Sequence, residues 1–289
     1  MSCVLELQNL GFTYGKGTPF EKRAVDNVNL QIEQGEFIGV IGHTGSGKST
    51  LMQMLNGLIR PTDGQVLLDG KDIWAEPKKI RRVRFKVGMV FQYPEYQLFE
   101  ETVYKDIAFG AQNRGLAGDA LDKAIRDAAD FTGLKPALLD KSPFDLSGGE
   151  KRRAAIAGII AMNPEVLVLD EPTAGLDPMG REVLLSQIVR YHKERHNTVL
   201  LVTHSMEDIA RVADRIMVMN KGKLALFAPT REVFGRGDEL QRYGLQVPQI
   251  TRIMQDLRRR GFDVPESVLT VDEAFSALLP LLQKEGKLW

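Results

Sequence analysis

The chain has 289 residues, enough for one large domain or two modest ones, and its composition is that of an ordinary globular protein, with 43% hydrophobic and 26% charged residues. Its 38 basic residues equal its 38 acidic ones, so no bulk positive field favours nucleic acid and we expect no nucleic-acid partner. No apolar run approaches the roughly 20 residues of a membrane span and no signal peptide is recognisable, so we expect a soluble intracellular protein.

The first section of the chain, from about Val4 to Leu68, is predicted to be rich in strands. Leu5–Leu7 and Val28–Ile32 alternate apolar and polar residues, which indicates half-buried antiparallel strands. Gln65–Leu68 and Val87–Phe91 continue this pattern, and we expect strands of the same kind there.

Within this section, the apolar strand Phe37–Ile41 is followed by a glycine-rich segment and then by a helix beginning near Leu51. The segment matches G-x-x-x-x-G-K-[ST] and consists of Gly42, His43, Thr44, Gly45, Ser46, Gly47, Lys48, Ser49 and Thr50. Its backbone N–H groups can surround a polyphosphate at a helix N-terminus, whereas an accidental match would lack this strand–loop–helix setting. We expect Lys48 to reach the β- and γ-phosphates of a nucleoside triphosphate and Ser49 to bind Mg²⁺.

After Gln92 the apolar spacing becomes helical, at Val103–Arg114 and Asp119–Thr132, and this helical section extends to about Met162. The pattern then alternates between strand and helix, at Val166–Asp170, Gly180–Glu194 and Thr198–Thr203. Such alternation predicts a parallel sheet covered by helices.

Leu146–Glu150 introduces a predicted helix and contains Ser147, Gly148 and Gly149. Ser147 is a candidate N-cap and the glycines permit close backbone approach, so this helix start can bind a second anion. In isolation the same pattern is an ordinary capped helix start. Two candidate phosphate-binding elements beside a single candidate catalytic base, Glu171, indicate that each element contacts a different nucleotide.

Two adjacent acids, Asp170 and Glu171, follow the apolar run Val166–Leu169, at the strand end where open α/β sheets bind ligands. Neighbouring side chains of a strand point to opposite faces, so the two acids can have different roles. We expect Asp170 to hold Mg²⁺, directly or through water, and Glu171 to orient or deprotonate the water that attacks the γ-phosphate. Taken alone, the pair would equally suit a solvated turn; the glycine-rich segment upstream favours the site.

The end of the chain is predicted to contain a hairpin and two amphipathic helices. The hairpin strands are Arg215–Met219 and Lys223–Phe227, and the helices are Ile250–Arg260 and Val271–Lys284. The run Arg258–Arg260 suits either the solvated end of a helix, where cations favour the dipole, or a phosphate or lipid-headgroup patch.

In these motifs and their order, the chain resembles the ATP-binding-cassette ATPases from Val4 to about Pro229. Leu146–Glu150 matches the family signature, with Glu150 where glutamine is commoner, and both residue types can hydrogen-bond. The resemblance implies an α/β fold with a RecA-like P-loop core, an antiparallel β subdomain, a helical subdomain that carries the signature and a small helical C-terminal extension. The corresponding ranges are 1–228 for the ATP-binding domain, about 93–162 for its helical subdomain and 229–289 for the extension.

The resemblance also implies roles for individual residues. Tyr14 would stack on adenine, Gln92 would contact Mg²⁺ and the attacking water, and His204 would contact the γ-phosphate. Glu171, Gln92 and His204 are then the catalytic residues, and Ser49, Gln92 and Asp170 the metal ligands. Ala174–Asp177 resembles the family's loop that communicates across a dimer.

The family further implies a head-to-tail dimer, in which Lys48 of one subunit and Ser147 of the other hold the same ATP. Closure of this dimer around ATP and its opening after hydrolysis would be the mechanical output.

Among cassette proteins, the chain is most similar to the ATPases of energy-coupling factor transporters, which import vitamins and transition metals. The similarity is carried by Phe91–Phe99, Gly149–Gly158 and the two C-terminal helices, while Thr18–Ala24 resembles the second ATPase paralogue of that complex. This implies a peripheral ATPase on the cytoplasmic face of the membrane. Its partners would be a second ATPase (a paralogue or another copy), a transmembrane coupling protein and a substrate-binding membrane subunit.

In the family, the region after Gln92 receives the coupling helices of the membrane protein, and here Leu98 and Phe99 are candidate anchors, unless they pack within the helical subdomain. The alternative to a transport subunit is a soluble cassette ATPase that acts in regulation, on DNA or on a scaffold. The neutral net charge and the absence of a long heptad insertion disfavour it.

Overall fold

The computed structural model describes residues 2–284, so residues 285–289 of the predicted C-terminal extension lie outside the described part of the chain. Its strands are β1 (Cys3–Tyr14), β2 (Lys22–Glu33), β3 (Phe37–Ile41), β4 (Asp63–Leu68), β5 (Lys71–Asp72), β6 (Val87–Val90), β7 (Val166–Asp170), β8 (Thr198–Val202), β9 (Arg215–Asn220) and β10 (Lys223–Pro229). Its helices are α1 (Lys48–Leu55), α2 (Ile80–Lys86), α3 (Val103–Arg114), α4 (Gly118–Phe131), α5 (Gly148–Ile160), α6 (Pro178–Arg195), α7 (Met206–Val212), α8 (Thr230–Gly235), α9 (Gly237–Arg242), α10 (Gln249–Arg259) and α11 (Val271–Lys284).

The strands form two sheets. The antiparallel sheet has the order β2-β1-β4-β5, and the larger sheet has the order β10-β9-β3-β8-β7-β6. In the larger sheet β9, β3, β8, β7 and β6 are parallel, and β10 closes its edge as the antiparallel hairpin partner of β9. The predicted α/β architecture and the predicted hairpin are therefore confirmed.

The central strands divide their side chains between two cores, because successive residues of a strand point to opposite faces. In β7, Val166 and Val168 pack towards the antiparallel sheet and α1, whereas Leu167 and Leu169 pack towards α3, α5 and α6. All five residues of β3, β7 and β8 are buried. These strands are therefore fixed on both faces, and their carboxyl ends provide a rigid edge for the site.

One strand prediction was wrong. Val87–Val90 is not a half-buried antiparallel strand: it is fully buried and pairs in parallel with β7. Parallel strands covered on both faces are uniformly apolar, and Val87–Val90 contains no polar side chain. The predicted helices in the middle of the chain are confirmed, since α3 spans Val103–Arg114 and α4 spans Gly118–Phe131.

Beyond β10 the chain forms α8 to α11, with a small core of its own at Met254, Val264, Val268 and Ala274. At the end of α10, Arg258 pairs with Asp263 and Glu266, and Arg259 pairs with Asp238. These ion pairs favour a solvated helix end over an anion-binding patch for the arginine run. Between residues 2 and 284, the structure contains no helix with the length and apolar character that crossing a membrane requires.

Candidate nucleotide-binding site

The glycine-rich segment forms the turn between β3 and the N-terminus of α1, as its sequence predicts. Gly47 has a φ of 99°, and a Cβ atom at this position would lie 2.3 Å from the carbonyl oxygen of Ala24. The turn between β9 and β10 supports the loop from another side, because the Gly222 N–H donates to the carbonyl oxygen of Ser46 at 3.0 Å. Backbone from both sheets thus fixes the curvature that lets successive N–H groups face an anion.

Lys48 is the first residue of α1 and only 7% exposed. Its Nζ donates to the carbonyl oxygens of Gly42 at 2.6 Å and His43 at 3.0 Å, which holds it across the loop. Burial lowers the pKa of the Lys48 ammonium, and the negative charges of Glu171 and Asp170 partly counteract this effect. The structure therefore brings the lysine and the two acids together, although Lys48 and Asp170 are 122 positions apart along the chain.

Asp170 ends β7 and is 7% exposed, and the Ser49 side chain lies beside its carboxylate. Burial raises the pKa of Asp170, while the Ser49 side chain lowers it and the like charge of Glu171 raises it further. A hydroxyl, a carboxylate and nearby phosphate oxygens are the hard oxygen ligands that Mg²⁺ prefers. This donor set fits Mg²⁺ bound together with a nucleotide, rather than a metal held by protein side chains alone.

Glu171 lies between two further residues that were predicted to be catalytic. Its Oε1 is 2.8 Å from Nε2 of His204, and its Oε2 accepts a hydrogen bond from Nε2 of Gln92 at 3.2 Å. The backbone of Glu171 has a φ of 52°, and its N–H donates to the carbonyl oxygen of Val202 at 2.9 Å. A left-handed glutamate is strained, and such strain concentrates at functional sites.

Tyr14 ends β1 beside the same loop. Its hydroxyl lies 3.1 Å from Oγ1 of Thr50, and its ring is 44% exposed, with Phe12 packed edge-on against it. An exposed aromatic face next to the phosphate loop is suited to stacking on a base.

Ser147 caps α5 at a separate, exposed position. Its Oγ accepts from the Glu150 N–H at 3.4 Å, and a Glu150 carboxylate oxygen accepts from both N and Oγ of Ser147, at 2.9 and 2.7 Å. Gly148 is exposed, and no heavy atom within 4 Å would contact a Cβ placed on it. The helix start therefore faces open surface, where another molecule can approach its backbone.

A buried ion pair between Glu95 and Arg152 lies beside these residues, and the sequence does not predict it. The two residues are 57 positions apart, and neither has a local pattern that distinguishes it from a solvated charge. The pairing depends on how α5 packs, which the sequence does not express locally.

Comparison with known proteins finds the same fold and similar sequences. A family model described as ABC transporter matches residues 25–174, a span that contains the phosphate loop, Ser147 and Glu171. The energy-coupling factor transporter ATP-binding protein EcfA2 of Caldanaerobacter subterraneus subsp. tengcongensis is 50% identical over 279 residues, which cover 96% of this chain and 98% of that protein. EcfA2 of Clostridium perfringens is 51% identical over 283 residues, covering 98% and 99%.

Two solved structures extend this similarity to three dimensions. CbiO1 of Clostridium perfringens, described as part of the ABC transporter complex cbiONQ, has a TM-score of 0.75 at 38% identity and covers 88% of this chain and 100% of its own. The ATP-binding cassette MJ0796, solved as a dimer with ADP and phosphate, has a TM-score of 0.70 at 28% identity and covers 78% and 98%.

Proposed function

The chain belongs to the ABC transporter family and, within it, to the second ATP-binding proteins of energy-coupling factor transporters, and we propose that a neighbouring ATPase subunit completes its ATP site. It is an ATP-hydrolysing subunit of an importer of this type, and it works as part of an ATPase dimer in a transporter complex. The residue roles, the specific partners and the imported substrate are our proposals.

The convergence of His204 and Gln92 on the two oxygens of Glu171 carries the proposed mechanism. Glu171 accepts a proton from the attacking water, Gln92 orients that water, and His204 holds the carboxylate and faces the γ-phosphate. Lys48 and the backbone of Gly42–Thr50 hold the polyphosphate, and Tyr14 stacks on the adenine. Ser49, Asp170 and Gln92 would hold Mg²⁺, which supplies charge neutralisation at the β- and γ-phosphates when bound.

The exposed start of α5 supports a head-to-tail arrangement of the dimer. Ser147, Gly148 and Gly149 present a helix N-terminus to open surface, and this anion site is separate from the phosphate loop of the same chain. In the arrangement we propose, these residues bind the γ-phosphate of the ATP held by Lys48 of the other subunit. Residues 93–162 move as a helical subdomain when the dimer closes.

A groove of about 540 Å³ supports the proposed membrane partner. Its lining includes Phe85, Leu98, Phe99 and Phe109, and the rings of Phe99 and Phe109 contact edge-to-face at 5.1 Å. A short amphipathic helix of a transmembrane coupling protein suits an apolar groove of this kind. We place the chain at the cytoplasmic face of the membrane, where this contact and a substrate-binding subunit couple ATP hydrolysis to uptake of a vitamin or another micronutrient.

The substitution Glu171→Gln tests the proposed mechanism. The amide keeps the size of the side chain but cannot accept a proton, so we expect ATP binding to persist and steady-state phosphate release to fall at least about 10²-fold. Binding is measured with a fluorescent ATP analogue and turnover by phosphate release, both in the assembled complex. Glu182→Gln is the control, because Glu182 forms an exposed ion pair with Arg211 on α6 and α7. Turnover by Glu171→Gln at the rate of the unmodified protein would exclude Glu171 as the base.

A further inference from the structure

Arg152 is a buried cation whose three guanidinium nitrogens are all hydrogen-bonded. It lies in the second turn of α5 and is 4% exposed. Nε and Nη2 donate to the two carboxylate oxygens of Glu95, at 3.1 and 2.7 Å, and Nη1 donates to the carbonyl oxygens of Pro172 (3.3 Å) and Ala174. A buried charge persists only when it is compensated, and a bidentate pair is the geometry in which arginine does this best.

The partners of Arg152 flank the proposed catalytic residues. Glu95 follows Gln92 by three positions, in the short 3₁₀ helix Pro94–Gln97. Pro172 comes directly after Glu171, and the Ala174 N–H donates to the carbonyl oxygen of Glu171 at 3.2 Å. One side chain therefore connects the segment that carries Gln92 to the turn that carries Glu171, and it does so from the helix that Ser147 caps.

We propose that Arg152 is a positioning residue for ATP hydrolysis, which aligns Gln92 and Glu171 only when α5 is seated against the two segments that bear them. This inference depends on the proposed roles of Glu171 and Gln92. Because α5 is a helix of 13 residues, a displacement of its Ser147 end moves Arg152 with it. When Ser147 contacts the ATP of the neighbouring subunit, the resulting position of α5 therefore affects how Gln92 and Glu171 of its own chain are aligned.

Arg152→Lys and Glu95→Gln test this role in the full-length chain, within the complex that hydrolyses ATP. Lysine keeps the charge but cannot bridge Glu95 and both carbonyl groups, and glutamine loses the charge-assisted pair. We expect each variant to lower kcat about 10-fold or more and to change KM for ATP less than about 2-fold, because the phosphate loop is untouched. The double variant should be no slower than the slower single variant, since both changes break one connection.

Glu36→Gln is the matched control, because it breaks the partly buried ion pair of Glu36 with Arg215 at the amino ends of β3 and β9, the edge of the sheet opposite the site. Its kcat should stay at the wild-type value. A lower melting temperature with wild-type kcat in Arg152→Lys and Glu95→Gln would make the pair purely structural and overturn the inference, as would independent, multiplying losses in the double variant. Glu171→Gln, assayed in parallel, separates the two proposals: if it turns over ATP normally, the proposed mechanism fails; if it alone is inactive, only the role of Arg152 fails.

Discussion

At the scale of single residues, Gly47 shows how much of the phosphate loop depends on one missing side chain. Its φ is 99°, and a Cβ atom would lie 2.3 Å from the backbone oxygen of Ala24, an atom fixed in β2. Gly45 has a similar φ of 80°, but a Cβ there would have no neighbour within 4 Å. An alanine at either position would therefore have a strained backbone, but only an alanine at position 47 would also clash with a neighbouring atom.

We predict that Gly45→Ala lowers the free energy of unfolding by about 1–2 kcal/mol, the usual cost of a left-handed residue. Gly47→Ala should carry the same backbone cost and, in addition, about 1–3 kcal/mol for the steric clash with Ala24. Urea unfolding of the nucleotide-free chain measures both free energies. Because no ATP is present, a change in ATP affinity cannot contribute to the measured stability. Equal losses for the two variants would show that the Ala24 backbone moves aside, which would contradict a rigid loop.

Residue patterns alone identify most of the candidate site, because its motifs are local in sequence. Gly42–Thr50 and the pair Asp170 and Glu171 each combine a strand, a turn and a distinctive residue set, so periodicity and spacing suffice to find them. His204 and Gln92 are expected at the nucleotide only through the family resemblance, and their approach to Glu171 is visible only in the structure. The bridge from Arg152 to Glu95 was not expected at all, since an arginine on a predicted helix gives no sign of burial.

At the scale of elements, the sequence predicted the type of a segment better than its partner in the sheet. The β7 run Val166–Asp170 is recognisable as a buried strand from its apolar residues, and α3 from its 3.6-residue period. The parallel pairing of β6 with β7 was missed because pairing is a tertiary property, and the short helices α2, α7, α8 and α9 were missed because one or two turns carry too little periodic signal.

The groove between α2, α3 and α5 is the surface that we propose binds the membrane partner. Phe99 is 59% exposed at this groove, so its removal costs the isolated chain little packing. We predict that Phe99→Ala keeps the melting temperature and nucleotide binding but lowers the yield of membrane partner that co-purifies from detergent extracts about 10-fold or more, as expected for an aromatic anchor.

The control for the groove is Phe20→Ala. Phe20 is 87% exposed in the turn between β1 and β2 and does not line the groove. This variant should retain the membrane partner in full. If the Phe99 and Phe20 variants retain equal amounts of the membrane partner, the partner does not bind at the groove.

At the scale of the whole molecule, the two proposed anion-binding elements lie on different parts of the chain. Lys48 is held inside its loop by Gly42 and His43, whereas Ser147 caps an exposed helix start whose hydrogen bonds stay within α5. Glu150 adds a negative charge at that start, and the hydrogen bonds from Ser147 lower the pKa of Glu150 and keep it ionised. An arrangement in which each ATP contacts Lys48 of one chain and Ser147 of another makes hydrolysis depend on association.

This arrangement predicts complementation between two inactive variants of a self-pairing chain. Lys48→Ala removes the phosphate contact, and Ser147→Arg blocks the exposed helix start, so either variant alone should lack ATP turnover. In an equal mixture, about half of the dimers are mixed, and each mixed dimer has one intact site, built from Lys48 of the second variant and Ser147 of the first. Phosphate release should therefore return to about a quarter of the wild-type rate, if the two sites act independently. If the wild-type chain alone hydrolyses ATP and the mixture does not recover, the site is complete within one chain and the shared arrangement is wrong, because a self-contained site cannot be rescued by a partner.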